Sequence, residues 1–457
     1  MMIKTLFRYM LVLFTVIGGN AQVSMDSSLS VLLKDKIFET SDVSMMVYDL
    51  TADSLVFSHR ANKLVRPASV MKLLTSVVAL EQLGEDYLFK TQLYKGVGND
   101  SMNYYVKGVM DPLFDEEDIV RIAATLSCGT VIDTLFADCS FCDSLYWGPG
   151  WSWDDNPYGY QPYLSPLMLC GGAVEIVVKP AERGKAPLYS CTPSSSFYTI
   201  INEAECGNPE LGKLSIMRDW LENSNVIRIT GNCTAQKKER MNMYKSADFF
   251  MAVLAEKLDS IGVKVNNIAF GKTPQQCDVV ATVSTPIADV LDEALMESDN
   301  LCAESLVYHL SAANGASPAA LKHGCSIIDK FVKNRLGVVC DYSIADGSGL
   351  SLYNYLSADI LLKVLRYAYG NGTVYTSLYS HLPLSGVSGT LKYRTKSGSA
   401  YKKVRAKTGT VKGVCSLAGY ARSSNGNMLA FVMLNGGMQS ARPVREWQDK
   451  ACEIMCR

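Results

Sequence analysis

Ser69-Val70-Met71-Lys72 places a hydroxyl and an amine three residues apart, and on a helix side chains at i and i+3 are neighbours on one face. A serine hydroxyl is a poor nucleophile near neutral pH unless a base lies within hydrogen-bond reach. A lysine can be that base only while unprotonated, which burial or a second nearby cation promotes by lowering its pKa. Two more polar clusters follow in order, Ser298-Asp299-Asn300 and Lys407-Thr408-Gly409-Thr410. They add a second hydroxyl, a carboxamide, a second cation and a strand-like run bearing two more hydroxyls. Gathered in one cleft, such groups could transfer an acyl group through a serine ester.

Each short pattern is weak alone. Ser399 and Lys402 also have the S-x-x-K spacing, Ser101 with Asn103 and Ser423 with Asn425 have S-x-N, and Lys396-Ser397-Gly398 resembles the third cluster. Context separates them. Only Ser69 opens a long apolar helix directly after a proline, and Lys407 sits on a strand followed by two further apolar strands. The predicted helix over 67–83 carries Leu73, Leu74, Val77, Val78 and Leu80, so it is apolar on most sides and should be buried.

The elements that must hold these groups come from both ends of the chain. A helix is expected over 27–39, then strands over 43–50 and 54–59 joined through Thr51-Ala52-Asp53. Near the C-terminus a strand over 402–408 carries Lys407, and strands follow at 414–421 and 427–435 with Asn425-Gly426 as their hairpin turn. A helix over 441–456 closes the chain. Two early and three late strands predict one five-stranded antiparallel sheet with helices on its faces. The stretch 88–240 differs in character, with short β-like runs and Trp147, Trp151, Trp153 and Trp220. A structureless loop of that length is implausible, so it reads as mostly β inserted structure, one domain or two. The catalytic domain is then 22–87 together with 241–457.

Composition narrows the functions. With 457 residues, 48% apolar and 19% charged, the chain is a folded protein of two or three domains. Lysine plus arginine (44) balances aspartate plus glutamate (45), so it lacks the basic footprint of a nucleic-acid binder. The four histidines have no metal-ligand spacing, and neither a metal nor a cofactor is expected. Lys4 and Arg8 precede a short apolar run over 9–19, and Gly19-Asn20-Ala21 supplies small residues for cleavage. Residues 1–21 are therefore predicted to be a signal peptide, and the mature protein to be exported to the periplasm or cell envelope. All 14 cysteines follow this segment; export permits disulfides, but spacing does not fix a pairing.

Longer strings add specificity: Gly148-Pro149-Gly150-Trp151-Ser152-Trp153-Asp154-Asp155, Asp346-Gly347-Ser348-Gly349-Leu350-Ser351, and the run from Leu382-Pro383-Leu384-Ser385-Gly386 to Gly389-Thr390-Leu391. With the three ordered clusters, they make almost the whole mature chain resemble the low-molecular-mass penicillin-binding proteins of the D-Ala-D-Ala carboxypeptidase/endopeptidase type, peptidase family S13. The departures are Val109-Met110-Asp111-Pro112, which replaces a glycine-rich approach to Asp-Pro, and Leu352, where an arginine is usual.

The resemblance implies an α/β serine acyl-transferase fold of the β-lactamase/transpeptidase kind. It assigns Ser69 as nucleophile and Lys72 as its base. Ser298 would pass a proton to the leaving amine, and Asn300 would hold Lys72 and the substrate amide. Lys407, Thr408 and Thr410 would grip the substrate carboxylate, with Gly409 leaving room for the peptide to lie along the strand. The backbone N–H groups of Ser69 and Thr410 would form the oxyanion hole. The substrates would be peptidoglycan stem peptides and the inhibitors β-lactams; Asp346 and its glycines read as a structural turn, and oligomeric state is left open. The nearest rival, a serine β-lactamase, uses a glutamate for deacylation in its class A form. Glu304, the one glutamate between Ser298 and Lys407, follows Asn300 too closely for that role. A non-catalytic peptidoglycan-binding protein is the other alternative, and the intact Ser69, Lys72, Asn300 and Lys407 argue against it.

Overall fold

The structure, a computed structural model, describes residues 24–457. The predicted signal segment lies outside the described residues. No described helix is long and apolar enough to cross a membrane.

The chain starts with α1 (Met25–Leu32), β1 (Asp42–Asp49), β2 (Ser54–His59) and α2 (Met71–Leu83), and α3 (Asn300–Ala313) follows much later. It ends with β3 (Val404–Val411), β4 (Val414–Arg422), β5 (Met428–Gly436) and α4 (Ala441–Met455). The five strands form one antiparallel sheet in the order β3-β4-β5-β1-β2. β1 pairs with β5 from Asp42 opposite Gly436 to Asp49 opposite Leu429, so the two chain ends are hydrogen-bonded together.

This sheet is covered on both faces, which is why its strands read as continuous apolar runs rather than alternating ones. Met45, Val47, Phe431 and Met433 pack with Trp447 of α4 and Leu29 of α1. Met46, Tyr48, Val432 and Leu434 pack with α2 and the helix Ala358–Gly370 on the other side. Every residue of α2 from Met71 to Leu80 is buried. Burying Leu73, Leu74, Val77 and Val78 contributes about 1.5–3 kcal/mol each, which anchors the helix that carries Lys72.

Three expected boundaries move. The helix placed over 27–39 ends at Leu32; Asp35 caps a separate 3₁₀ turn, Lys36–Glu39, by accepting from Ile37 N. The strand placed over 402–408 runs from Val404 to Val411, so Lys407 lies within it rather than at its end. The inserted lobe does not stop at 240. Its main sheet pairs Leu88–Gly96 with Cys277–Pro286, and Lys264–Phe270 with Val131–Asp138. That last pair is parallel, and a parallel pair needs a crossover; the helix Ser246–Ser260 lies in the connection leading to Lys264. One buried cluster spans Leu93 to Val283, and Ile287 N donates to Tyr87 O at 2.9 Å where the lobe leaves and rejoins the sheet domain. Two three-stranded sheets complete the lobe. All fourteen cysteines are unpaired in the structure.

Candidate active site

Pro67 leads into a 3₁₀ turn, Ala68–Val70, and α2 proper begins at Met71. Ala68 has φ of +51°, a left-handed conformation that costs an ordinary residue free energy and that packing must hold in place. It sets Ser69 at the mouth of the helix while Lys72, one turn on, is fully buried. The Lys72 Nζ donates to Ser69 Oγ at 3.1 Å, to Asn300 Oδ1 at 2.7 Å and to the Ser348 carbonyl at 3.0 Å.

Each partner is positioned by a local device. Ser298 adopts φ of +68° between the helical turn Glu293–Glu297 and α3. Asp299 then caps α3, accepting from Cys302 N at 2.8 Å, which makes Asn300 the first residue of that helix. The Asn300 amide uses its other end as well, donating from Nδ2 to Tyr160 O of the inserted lobe at 2.8 Å. Ser348 is delivered by the glycine-rich turn beside it. A Cβ at Gly349 would lie 1.9 Å from Ala68 O, so only glycine lets this turn approach the start of α2.

Lys407 approaches from β3, also fully buried, and its Nζ donates to Ser298 Oγ and to Thr408 O, both at 2.8 Å. Burial pulls the Lys72 ammonium down to about 8, against the opposing pull of the Asp299, Asp346 and Glu304 carboxylates. Burial, then the charge of Lys72, holds Lys407 well below the usual lysine range.

The strand edge is open where it is needed. Pro383 and Ser385 hydrogen-bond along Val404 and Ala406, occupying the outer edge at the start of β3. Beyond them lie Lys407, Thr408, Gly409 and Thr410, on the edge strand of the sheet. A Cβ on Gly409 would stand 2.9 Å from Pro67 O and 3.0 Å from Ser69 N. Ser69 N and the strand therefore face each other across a gap that admits no side chain. Gly409→Ala should slow serine acylation by roughly 10²-fold, the scale of an ångström-size misplacement, with a modest fall in Tm. Stopped-flow acylation with a chromogenic β-lactam reads it; a rate within twofold of wild type would show that the gap has no role.

The predicted site residues meet where α2, α3 and β3 converge: Ser69, Lys72 and Asn300 share hydrogen bonds, Lys407 reaches Ser298, Gly409 abuts Ser69 N, and Thr408 and Thr410 flank it along the strand, with Thr410 Oγ1 contacting Arg445 of α4. Sequence reasoning passed over several of their supports. Thr390 Oγ1 meets Thr408 Oγ1 at 2.9 Å, and Thr390 lies in the quoted run 382–391, a signal that was there to use. Ser348 enters through its carbonyl and Tyr160 through its carbonyl, and a backbone contact leaves no residue-type signature. Asp346, read as a turn residue, is a buried hub: it accepts from Trp151 Nε1 at 3.0 Å, Gly349 N at 2.8 Å, Ser351 N at 2.6 Å and Asn354 Nδ2 at 2.6 Å. Glu304 is sealed below it, its oxygens accepting from Gly347 N and Ser348 N at 3.2 and 2.9 Å. Burial and the Asp346 charge push Glu304 up to about 8.

This topology, with a serine beside a buried lysine and a second buried lysine on the facing strand, is that of the serine acyl-transferring hydrolases. A profile of the D-Ala-D-Ala carboxypeptidase 3 (S13) family matches residues 25–455, so the chain belongs to that family and is a serine D-Ala-D-Ala carboxypeptidase. The D-alanyl-D-alanine carboxypeptidase of Actinomadura sp. (strain R39) is 28% identical over 93% of this chain and 84% of its own length. The D-alanyl-D-alanine carboxypeptidase DacB of Haemophilus influenzae is 25% identical over 89% and 87%. The crystal structure of penicillin binding protein 4 (dacB) from Haemophilus influenzae superposes with a TM-score of 0.80 at 22% identity, covering 92% of this chain and 97% of that one, which shows the shared fold.

Proposed function

We propose that this enzyme cleaves peptidoglycan stem peptides after the first D-alanine of a D-Ala-D-Ala unit, with Ser69 as nucleophile and Lys72 as general base. The observation that carries the reading is the 3.1 Å contact between Lys72 Nζ and Ser69 Oγ, with the amine buried and a second lysine close by. Neutral Lys72 accepts the Ser69 proton as the hydroxyl oxygen attacks the scissile carbonyl. The developing oxyanion is held by Ser69 N–H and Thr410 N–H. The proton returns through Ser298, hydrogen-bonded to Lys407, to the departing amine. Water then cleaves the acyl-serine by the same route.

Lys407, Thr408 and Thr410 hold the substrate carboxylate, and that anion keeps Lys407 charged while Lys72 gives up its proton. β-Lactams acylate the same serine. Glu304, with its oxygens committed to two backbone N–H groups, supplies no deacylating base of the class A β-lactamase kind. The substrate's location fits a cleaved signal segment over 1–21 and a place in the cell envelope, and the architecture fits a catalytic domain interrupted by an inserted lobe.

Release of D-alanine from a peptide ending in D-Ala-D-Ala tests the reading. Because the base must be unprotonated, kcat/KM should rise with pH and level off above about 8. A flat profile between pH 6 and 9, or no D-alanine release at all, would overturn it.

A further inference from the structure

Arg445 stands in the first half of α4, on the far side of the edge strand from α3, and its Nη2 donates to Thr410 Oγ1 at 3.3 Å. The acidic residues nearest it on the helix are already engaged. Glu446 pairs with Arg442 at 3.1 Å, and Asp449 pairs with Arg394 at 2.7 Å. Among the described residues no carboxylate lies within ion-pair distance of Arg445. An exposed, permanently charged group therefore reaches the fourth residue of the Lys407–Thr410 run with its charge unanswered.

Thr408 and Thr410, two residues apart on the strand, present their hydroxyls to the same side of it. Thr410 is exposed, and Thr408 Oγ1 is tied to Thr390 Oγ1. A guanidinium presents five donors in a rigid fork matched to a carboxylate; Arg445 spends donors on Thr410 Oγ1 and on the Cys415 thiol, which Thr410 also meets, and the remaining N–H groups are free. We propose that Arg445 is a specificity-determining residue that reads the carboxylate on the leaving residue, jointly with Thr408 and Thr410. This rests on the function proposed above and sharpens its substrate class. The selection is for a negative charge on the carbon next to the leaving nitrogen. A terminal D-alanine satisfies it, and so does a cross-link whose leaving amine sits on a D-centre with a free carboxylate. A peptide amidated at that position does not.

The test compares two synthetic peptides, one ending in D-Ala-D-Ala and one in D-Ala-D-alaninamide, on wild type, Arg445→Ala and Arg445→Lys, with Tm recorded for each. Wild type should favour the carboxylate by more than about 10²-fold in kcat/KM. Arg445→Ala should lose roughly 10- to 100-fold on the carboxylate peptide, mainly through KM, and leave the amide unchanged. Arg445→Lys should restore part of the loss, since it returns the charge without the fork. An unchanged carboxylate-to-amide ratio in Arg445→Ala, with acylation by a β-lactam intact, overturns this proposal alone. Failure of wild type to cleave either peptide overturns the function proposed above and this proposal with it.

Discussion

Lys72→Met should slow acylation of Ser69 by at least about 10³-fold while Tm stays within a few degrees of wild type. General-base assistance contributes about 10²–10⁴-fold, and a nucleophile that cannot lose its proton forfeits nearly all of it. Methionine matches the lysine stem in volume, so the core around α2 need not repack. The substitution leaves Asn300 Oδ1 and the Ser348 carbonyl each short of a donor, a cost of about 1–3 kcal/mol apiece. Against that, it removes a buried ammonium and its repulsion with Lys407, so the two effects largely offset. Single-turnover acylation alongside a thermal melt separates chemistry from folding. Acylation within tenfold of wild type would transfer the base role to another group.

Asp346→Ala should be the most destabilising single change near the site. It strips acceptors from the Trp151 indole, two backbone N–H groups and the Asn354 amide in a region where Asp346 itself has no exposure. Each orphaned buried donor costs about 1–3 kcal/mol, so a loss on the order of 4 kcal/mol or more is expected, lowering Tm by roughly 5 °C or more in a chain of this length. Trp151 belongs to the inserted lobe, so its fluorescence should report the same event as the tie to the catalytic domain loosens. Removal of this carboxylate also takes away a charge that raises the Lys72 pKa. In whatever fraction folds, the acid limb of the pH profile should therefore move below 8. A melt within 2–3 °C of wild type would show that water or neighbouring groups replace the lost acceptors.

The chemistry was readable in advance because it depends on residue types at fixed spacings. Ser69 and Lys72 must share a helical face, and Lys407 must lie on a strand, and these demands survive as short strings. The sheet was readable for a similar reason: the interiors of β1, β4 and β5 are predominantly apolar, and Asn425-Gly426 marks a hairpin. The extent of the inserted lobe was not. Its last strands, Lys264–Phe270 and Cys277–Pro286, pair with segments well over a hundred residues earlier, and no local pattern announces such partners. Nor does spacing reveal the ties made by main-chain atoms, such as Tyr160 O to Asn300 and Ser348 O to Lys72. Arg445 is a third kind of omission. It lies in an amphipathic helix where a charged residue is ordinary, and only its position beside Thr410 distinguishes it.

Intact-protein mass spectrometry after brief exposure to a penicillin, followed by peptide mapping, bears most directly on the claim that Ser69 is the acylated nucleophile. The expected result is a stoichiometric, persistent adduct whose mass maps to the peptide containing Ser69 and which is absent from Ser69→Ala. An adduct on any other serine, or an unmodified protein that turns over the drug rapidly, would contradict it.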